Sequence, residues 1–317
     1  MSFSILGTGH CVPKRVVAND ELGQRVDTGD EWITQRVGVR ERRVCTTEST
    51  VQLAYGAAKS AIEASGVDPG DLGLILCATI SGDNVCPSVA CSVQELLGAS
   101  CPALDISAAC SGFIYALDVA AGFFSRQKVQ RALVIGAERM SALVDWSDRR
   151  TCVIFGDGAG AAVLGAGSGY LSSKLTARGG DGVIKVAGWQ GGSPFYQREP
   201  PYPYVSMNGQ ETYKFAVTAF CTDIADVTAD AGLTPGDIAW VIPHQANIRI
   251  IDGAARRLDI PRERFCSNID RYGNTSAASI PILLDEMNRG GRLRRGDALA
   301  LCSFGGGLTS AACIIRW

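Results

Sequence analysis

Apolar positions recur at helical spacing over residues 51–64 and again over 214–230. Each pattern runs into a proline-glycine turn and a short apolar stretch, SGVDPGDLGLIL at 65–76 and AGLTPGDIAWVI at 231–242. The two stretches align without a gap at an offset of 166 residues. ALVIGA at 132–137 and ALALCS at 298–303 keep that offset, and FGDGAG at 155–160 matches FGGGLT at 304–309 after a shorter connection. Three matches in the same order predict an internal duplication. Each half reads as helix, turn, buried strand, helix, strand, glycine turn, strand. This alternation predicts an α/β fold with largely parallel sheets covered by helices.

Small residues after the strand pattern at 161–164 place the division near 165–169, giving an N-terminal half over 1–167 and a C-terminal half over 168–317. Paired glycines and four prolines between 194 and 203 predict a loop-rich insertion around 178–210, where substrate contacts are often carried. The uncharged run 298–315 is 18 residues long, the threshold for a membrane span. Its central Gly305-Gly306-Gly307 predicts two buried strands joined by a turn instead. The opening MSFSILGTGH reads as a strand without a leader pattern, so a cytoplasmic protein with no membrane insertion is expected.

Composition narrows the classes further. Of 317 residues 46% are hydrophobic and 20% charged, which excludes a disordered chain. A net charge of −2 gives no global field for nucleic acid. Twelve cysteines without a C-x-x-C pair predict free thiols. The two histidines, His10 and His244, lie away from any cysteine pair, so no metal site is expected.

Three segments carry candidate chemistry. Residues 101–109 lead through apolar positions into Cys110, and Ser111-Gly112 opens a helix pattern. A thiol at such a turn faces the positive end of a helix dipole, which predicts a lowered pKa and a reactive thiolate. The alternative is a small buried residue, the reading that suits Cys77, Cys152, Cys302 and Cys313 inside strand patterns. His244 follows the strand pattern at 239–242 and should emerge at a sheet's C-terminal edge, able to exchange protons or donate to an oxyanion, or else to sit as a satisfied core residue. Asn274 lies in the duplicated counterpart of the Cys110 segment, where it either caps a helix or turns its amide towards a carbonyl. Neither glycine cluster has nucleotide-binding spacing; backbone N–H groups near Cys110 are better suited to an oxyanion hole.

Together SAACSGF (107–113), PHQAN (243–247) and YGNTSAAS (272–279) resemble β-ketoacyl-acyl-carrier-protein synthase III, which initiates type II fatty acid synthesis. DTGDEWI (27–33), FGDGAGAAV (155–163) and FGGG (304–307) extend the resemblance from end to end. It implies a thiolase-like fold of two duplicated α/β halves in a layered αβαβα architecture, a homodimer, and no cofactor. It implies that Cys110 takes the acyl group of an acyl-CoA. His244 and Asn274 then hold the carbonyl of malonyl-acyl carrier protein as carbon dioxide leaves. Amides of Cys110 and Gly306 form the oxyanion hole, and Phe304 shields the pocket.

For CoA the resemblance points to Thr28, Trp32, Arg36 and Arg149, with Trp32 and Arg149 sandwiching the adenine, and to Asn247 and Gly209 along the pantetheine tunnel. Arg150, beside Arg149, is the competing choice. Arg249, Arg256 and Arg257, at i, i+7 and i+8, predict a basic helix face. With Lys214 it forms an expected docking patch for acidic acyl carrier protein. Cys86 stands where many relatives carry a phenylalanine contributed across the dimer, so a deeper acyl pocket and primers longer than acetyl are expected. Thiolases proper and elongating condensing enzymes use a second cysteine or histidine, which Gly273-Asn274 does not supply. A specialised-metabolism relative with another acceptor, a thioester hydrolase and a non-catalytic scaffold remain as alternatives.

Overall fold

The first part of the chain supplies β1 (Ser2–Cys11), β2 (Val16–Ala18), α1 (Asn19–Gly23), α2 (Asp30–Arg36), β3 (Glu41–Arg43), α3 (Thr50–Ser65), β4 (Ile75–Ala78) and α4 (Val89–Leu97). It continues through β5 (Ala103–Ile106), α5 (Gly112–Ser125), β6 (Arg131–Arg139) and β7 (Asp157–Gly167). The remainder supplies β8 (Tyr170–Ala177), β9 (Ile184–Lys185), β10 (Ser206–Met207), α6 (Gly209–Asp230), β11 (Ile238–Pro243) and α7 (Ile248–Ala255). It ends with α8 (Ile269–Tyr272), α9 (Ser279–Arg289), β12 (Ala298–Gly305) and β13 (Thr309–Arg316). This computed structural model describes residues 2–188, 195 and 201–317. Part of the insertion expected over 178–210, namely 189–194 and 196–200, therefore lies outside the described residues.

Local chemistry sets the helix ends. Ser49 Oγ accepts from the Gln52 N–H while Gln52 Oε1 accepts from the Ser49 N–H, a reciprocal cap that starts α3. Leu53, Ala54, Ala57, Ala58, Ala61 and Ile62 then form its buried stripe. The Asp105 carboxylate accepts from the N–H groups of Val89 and Ala90 at 2.8 Å, tying the start of α4 to β5.

Two sheets repeat one plan. The first has the order β1-β7-β6-β4-β5 and the second β8-β13-β12-β11, so strands related by the sequence repeat occupy matching places. The counterpart of β5 is reduced to a single parallel bridge, Val241 to Phe265. The chain crosses from one sheet to the other between Gly167 and Tyr170.

The sheets are mixed, not largely parallel as expected. β4 runs parallel to β5 and β6, and β11 to β12, but β7 is antiparallel to β1 and β6, and β13 to β12 and β8. The cause is connectivity: β12 reaches β13 through three residues, too few for the crossover that parallel pairing needs.

Strand alternation builds the layers. Leu74 and Leu76, Val134, Leu299 and Leu301 point into a central core with Phe113, Leu117, Ile280 and Leu284 of α5 and α9. The intervening Ile75, Cys77, Leu133 and Ile135 face α3 and α4 on one outside. Ala298, Ala300 and Cys302 face α6 and α7 on the other. Five layers result, α3/α4, sheet, α5/α9, sheet, α6/α7. Each large apolar side chain buried in them contributes about 1.5–3 kcal/mol.

The central helices position the site. Each begins after a 3-10 turn, Ala109–Ser111 before α5 and Ser276–Ala278 before α9. Each turn opens on a left-handed residue other than glycine, Ala109 at φ 48° and Ser276 at φ 50°. Such a conformation costs on the order of 1–3 kcal/mol and persists only where neighbours enforce it.

Candidate active site

Cys110 is the middle residue of the first turn and lies partly open to a cavity of about 1930 Å³. Its neighbour across the sheets is the end of β12. A Cβ placed on Gly305 would stand 2.7 Å from the Cys110 backbone nitrogen, so glycine keeps clear the space beside that amide. Gly306 also lines the cavity, with Ile184 beside it.

The lowered thiol pKa expected at this helix start is not what the fold produces. Burial pushes the Cys110 thiol up to about 12; hydrogen bonds from Ser276 and from its own backbone offset this only in part, and the nearby Glu138 carboxylate adds to the rise. The helix dipole was legible in the sequence, but the loss of water around the sulphur was not. The groups acting on the thiol include no cation, and burial favours its S–H form. Cys77, Cys302 and Cys313 are buried strand residues, whereas Cys152 is buried in a turn rather than a strand.

His244 follows directly on β11 and is 1% exposed. Its Nδ1 lies 2.7 Å from Ser279 Oγ, in the first turn of α9, while its buried Nε2 has no protein partner. The ring packs edge-on against Phe304 at 5.6 Å between centroids. Desolvation holds its pKa down at about 3, so the imidazole is neutral.

Asn274 is nearly buried, and its backbone is fixed by bonds to Ile154 and Gly156. Its Oδ1 accepts from the Ser276 N–H at 2.8 Å, leaving the Nδ2 amide for the cavity it lines. Asn274 therefore braces the turn before α9 without capping that helix. Cys110, His244, Asn274 and Phe304 all border the one cavity, brought from both halves.

Three polar residues of this site were missed in the sequence. Ser279 is described above. Ser276 Oγ donates to Glu138 Oε1 at 2.9 Å, and Ser276 acts against burial to lower the pKa of the Cys110 thiol. Glu138, at the end of β6 and wholly buried, takes the Ser81 hydroxyl, the Ile80 N–H at 3.1 Å and Thr79 Oγ1 at 3.3 Å on its other oxygen. Burial raises its pKa to about 7. A carboxylate ending the apolar run ALVIGAE was the available signal. Two residues earlier on that strand Gly136 touches the backbone of Ala277, and its missing side chain lets the Ser276 turn approach.

Around the mouth, Arg36, Gly209, Asn247, Lys214 and Arg249 line the cavity. Asn247 caps α7 through the Arg249 N–H at 2.9 Å and donates to the Arg36 carbonyl at 3.0 Å. Trp32 is 39% exposed and carries the Arg149 guanidinium at 5.6 Å and that of Arg36 at 6.0 Å from its ring centroid. A base between Trp32 and Arg149 needs two van der Waals contacts of about 3.5 Å each, so Arg149 must swing outwards from its bonds to Asp27. Arg150, held by Asp148 at 2.9 Å, lines the cavity, whereas Trp32 and Arg149 do not. Thr28 Oγ1 is buried without a partner, and Thr28 does not border the cavity.

The basic helix face needs correction. α7 ends at Ala255, Arg256 is its C-cap, and Arg257 lies beyond. Arg249 borders the cavity, whereas Arg256 and Arg257 are exposed at the far end of the helix. The helix ends two residues before Arg257, which lies in the turn that follows the cap. Cys86, expected in an acyl pocket from across a dimer, is exposed and lies outside this chain's own cavity, which its neighbours Asn84 and Val85 line. No helix among the described residues is long and apolar enough to cross a membrane. No group of metal-ligating side chains occurs among them either.

The profile of 3-oxoacyl-[acyl-carrier-protein] synthase III matches residues 104–179, and that of its C-terminal region matches 228–317. A β-ketoacyl-[acyl-carrier-protein] synthase III of Alkalilimnicola ehrlichii is 46% identical, with 100% of both chains covered. The crystal structure of 3-oxoacyl-[acyl-carrier-protein] synthase III from Aquifex aeolicus VF5 has a TM-score of 0.93 at 43% identity, covering 99% of this chain and 100% of that one. The priming β-ketosynthase of the R1128 polyketide biosynthetic pathway also reaches 0.93, at 33% identity over 99% and 96% of the two chains. The layers are those of the thiolase-like fold, the two profiles cover the Cys110 turn and the His244–Asn274 region, and the identity holds over the full length: the chain belongs to the β-ketoacyl-acyl-carrier-protein synthase III family.

Proposed function

We propose that the chain condenses an acyl-CoA primer with malonyl-acyl carrier protein, through an acyl group on Cys110, to start fatty acid synthesis. One observation carries the reading: Cys110, the unpartnered Nε2 of neutral His244 and the open amide of Asn274 border one cavity at the starts of two matching helices. At about 1930 Å³ that cavity exceeds the roughly 300–1,000 Å³ of common small-ligand pockets, as a pantetheine arm with its acyl cargo requires.

Cys110 attacks the thioester, and CoA leaves. His244 and Asn274 then donate to the malonyl thioester carbonyl, where negative charge gathers as carbon dioxide departs. A neutral imidazole suits this donation, and Ser279 supports it by donating to Nδ1 so that Nε2 keeps the ring proton. The resulting enolate carbon attacks the acyl-cysteine, with the Cys110 and Gly306 amides receiving the oxyanion. Decarboxylation generates the carbon nucleophile, so these side chains need no cofactor or metal. Phe304, edge-on to His244, keeps water from the enolate.

Trp32, Arg149, Arg36 and Thr28 take the nucleotide end of CoA, and Asn247 and Gly209 flank its arm. Lys214 and Arg249 at the mouth receive the acidic carrier protein, with Arg256 and Arg257 at the edge of that surface. The two halves divide at 167/168. A homodimer is supported by the outer edge of β5, where Leu104 is 41% exposed, and by the neighbouring exposed Val85 and Cys86. Across it Cys86 closes the partner's acyl pocket and admits primers longer than acetyl. Twelve unpaired cysteines support a cytoplasmic setting.

The likeness to a priming β-ketosynthase of a polyketide pathway supports a second reading, the same condensation feeding a specialised product. An acyl-CoA chain-length series with malonyl-acyl carrier protein tests both. A β-ketoacyl product two carbons longer than the primer is expected. Strict acetyl selectivity would overturn the pocket assignment, and free acid as the sole product would overturn condensation.

A further inference from the structure

We propose that the Thr309 hydroxyl is a positioning group for the oxyanion hole: it bridges the turn that carries the Cys110 amide and the loop that carries the Gly306 amide, and so sets the spacing of the two donors. This rests on the reading that both amides receive the oxyanion.

Three contacts build the bridge. Thr309 Oγ1 lies 3.3 Å from the Ala108 carbonyl oxygen and 3.2 Å from Ser111 Oγ, residues on either side of Cys110 in the chain. It also lies 3.2 Å from the Gly306 carbonyl oxygen. A hydroxyl carries one proton, so Thr309 shares it among three acceptors. Each contact is longer than the roughly 2.7–2.8 Å of a fully formed O–H···O bond, as sharing requires. The proton is committed to neither segment, and the hydroxyl holds both. Ser111 is wholly buried and Thr309 nearly so, which leaves water poorly placed to substitute for the hydroxyl.

The junction has little else to fix it. Gly305 and Gly306 present no side chains to the turn. A Cβ on Gly305 would stand 2.7 Å from the Cys110 nitrogen and 3.1 Å from Ala109 Cβ, and one on Gly306 would stand 3.7 Å from Ala109 Cβ. The glycines therefore permit the approach without interlocking it. Among the described residues, no other hydrogen bond joins 108–111 to 305–309. Thr309 itself is anchored. It pairs with Gly305 of β12 and with Ala177 of β8, and its Cγ2 would lie 2.8 Å from a Cβ on Gly307. With the backbone held by two strands and the methyl against the glycine turn, the hydroxyl is left for the Cys110 turn. Two amides stabilise a tetrahedral oxyanion only when both aim at one point, so a small shift between the segments is felt in the rate. Thr309 acts through those amides and takes no part in the bond changes.

Acylation of Cys110 by acyl-CoA, followed by rapid quench and mass spectrometry at several acyl-CoA concentrations, tests the bridge in the full chain. Thr309→Val keeps the branched shape and removes the hydroxyl. It is expected to slow saturated acylation about tenfold or more while the half-saturating concentration changes less than about threefold. Thr309→Ser keeps the hydroxyl and is expected to remain within about threefold of wild type. Alkylation of Cys110 by iodoacetamide is a displacement that passes through no oxyanion, and it should stay within about twofold in both variants. Wild-type acylation in Thr309→Val, equal losses in acylation and alkylation, or a Thr309→Ser variant as slow as Thr309→Val overturns the bridge. Should Thr309→Val fail to fold, Thr309→Ala against Thr309→Ser decides: slower acylation in the alanine variant by about tenfold supports the bridge, and equal rates overturn it. Near-normal acylation in Gly305→Ala defeats the oxyanion assignment on which the bridge rests. A slow Gly305→Ala beside an indifferent Thr309→Val defeats the bridge alone.

Discussion

Ser279 Oγ lies 2.7 Å from His244 Nδ1, and the other ring nitrogen, Nε2, is buried without a protein partner. Ser279 also accepts weakly from the Gln245 N–H at 3.4 Å, which leaves its own proton for Nδ1. Replacing Ser279 by alanine removes the bond that selects the donating tautomer. Losing one such bond is worth about 1 kcal/mol, or roughly fivefold in rate. Condensation should fall by at least that factor while acylation by acyl-CoA stays at its wild-type rate. Separate single-turnover measurements of the two half-reactions check this; equal losses in both would contradict it.

Because desolvation holds His244 near 3, its charge state is constant across ordinary assay conditions. Release of carbon dioxide by preacylated enzyme should therefore show no titration near pH 6.5. The stability effect has a definite sign. The folded pKa lies below that of the unfolded chain, so acid protonates the unfolded state first and stability falls as pH drops from about 6.5 towards 3. Urea midpoints of wild type and His244→Gln over that range should converge as the pH is lowered.

Gly305 leaves open the space beside the Cys110 amide. A methyl group there stands 2.7 Å from that nitrogen, displacing an oxyanion while costing about 1–3 kcal/mol in overpacking. Gly305→Ala should remain folded by circular dichroism and lose about 100-fold or more in acylation. Near-normal acylation would remove the Cys110 amide from the oxyanion hole.

Two groups of residues around the cavity mouth should respond to different substrates. Trp32→Ala removes the platform beneath Arg149 and should raise KM for acyl-CoA without raising it for malonyl-acyl carrier protein. Arg249→Glu should do the reverse, with an effect that shrinks as salt is added. A common loss in both variants would contradict this division.

The duplication was legible because matching runs, 65–76 and 231–242, lead into β4 and β11, which occupy matching sheet positions. Cys110, His244 and Asn274 were legible as motifs and do border one cavity. Antiparallel pairing was legible only at the glycine turn between β12 and β13; elsewhere a buried strand reads alike in either direction. The Glu138 network was equally hidden. Its partners Ser81 and Ser276 lie 57 and 138 residues away, and only the fold reveals that Gly136 admits the Ser276 turn. Arg42 shows the same limit. It is wholly buried, holding the carbonyls of Val17 and Val153, yet in sequence it is one basic residue among several in VRERR.

The central claim is that Cys110 carries the acyl group into a condensation. Intact-mass and peptide mass spectrometry after mixing with acyl-CoA, then with malonyl-acyl carrier protein, tests it most directly. The expected result is one acyl adduct on Cys110, absent in Cys110→Ser, discharged by the carrier substrate into a β-ketoacyl thioester two carbons longer. An adduct on any other of the twelve cysteines, or none before product forms, would contradict it.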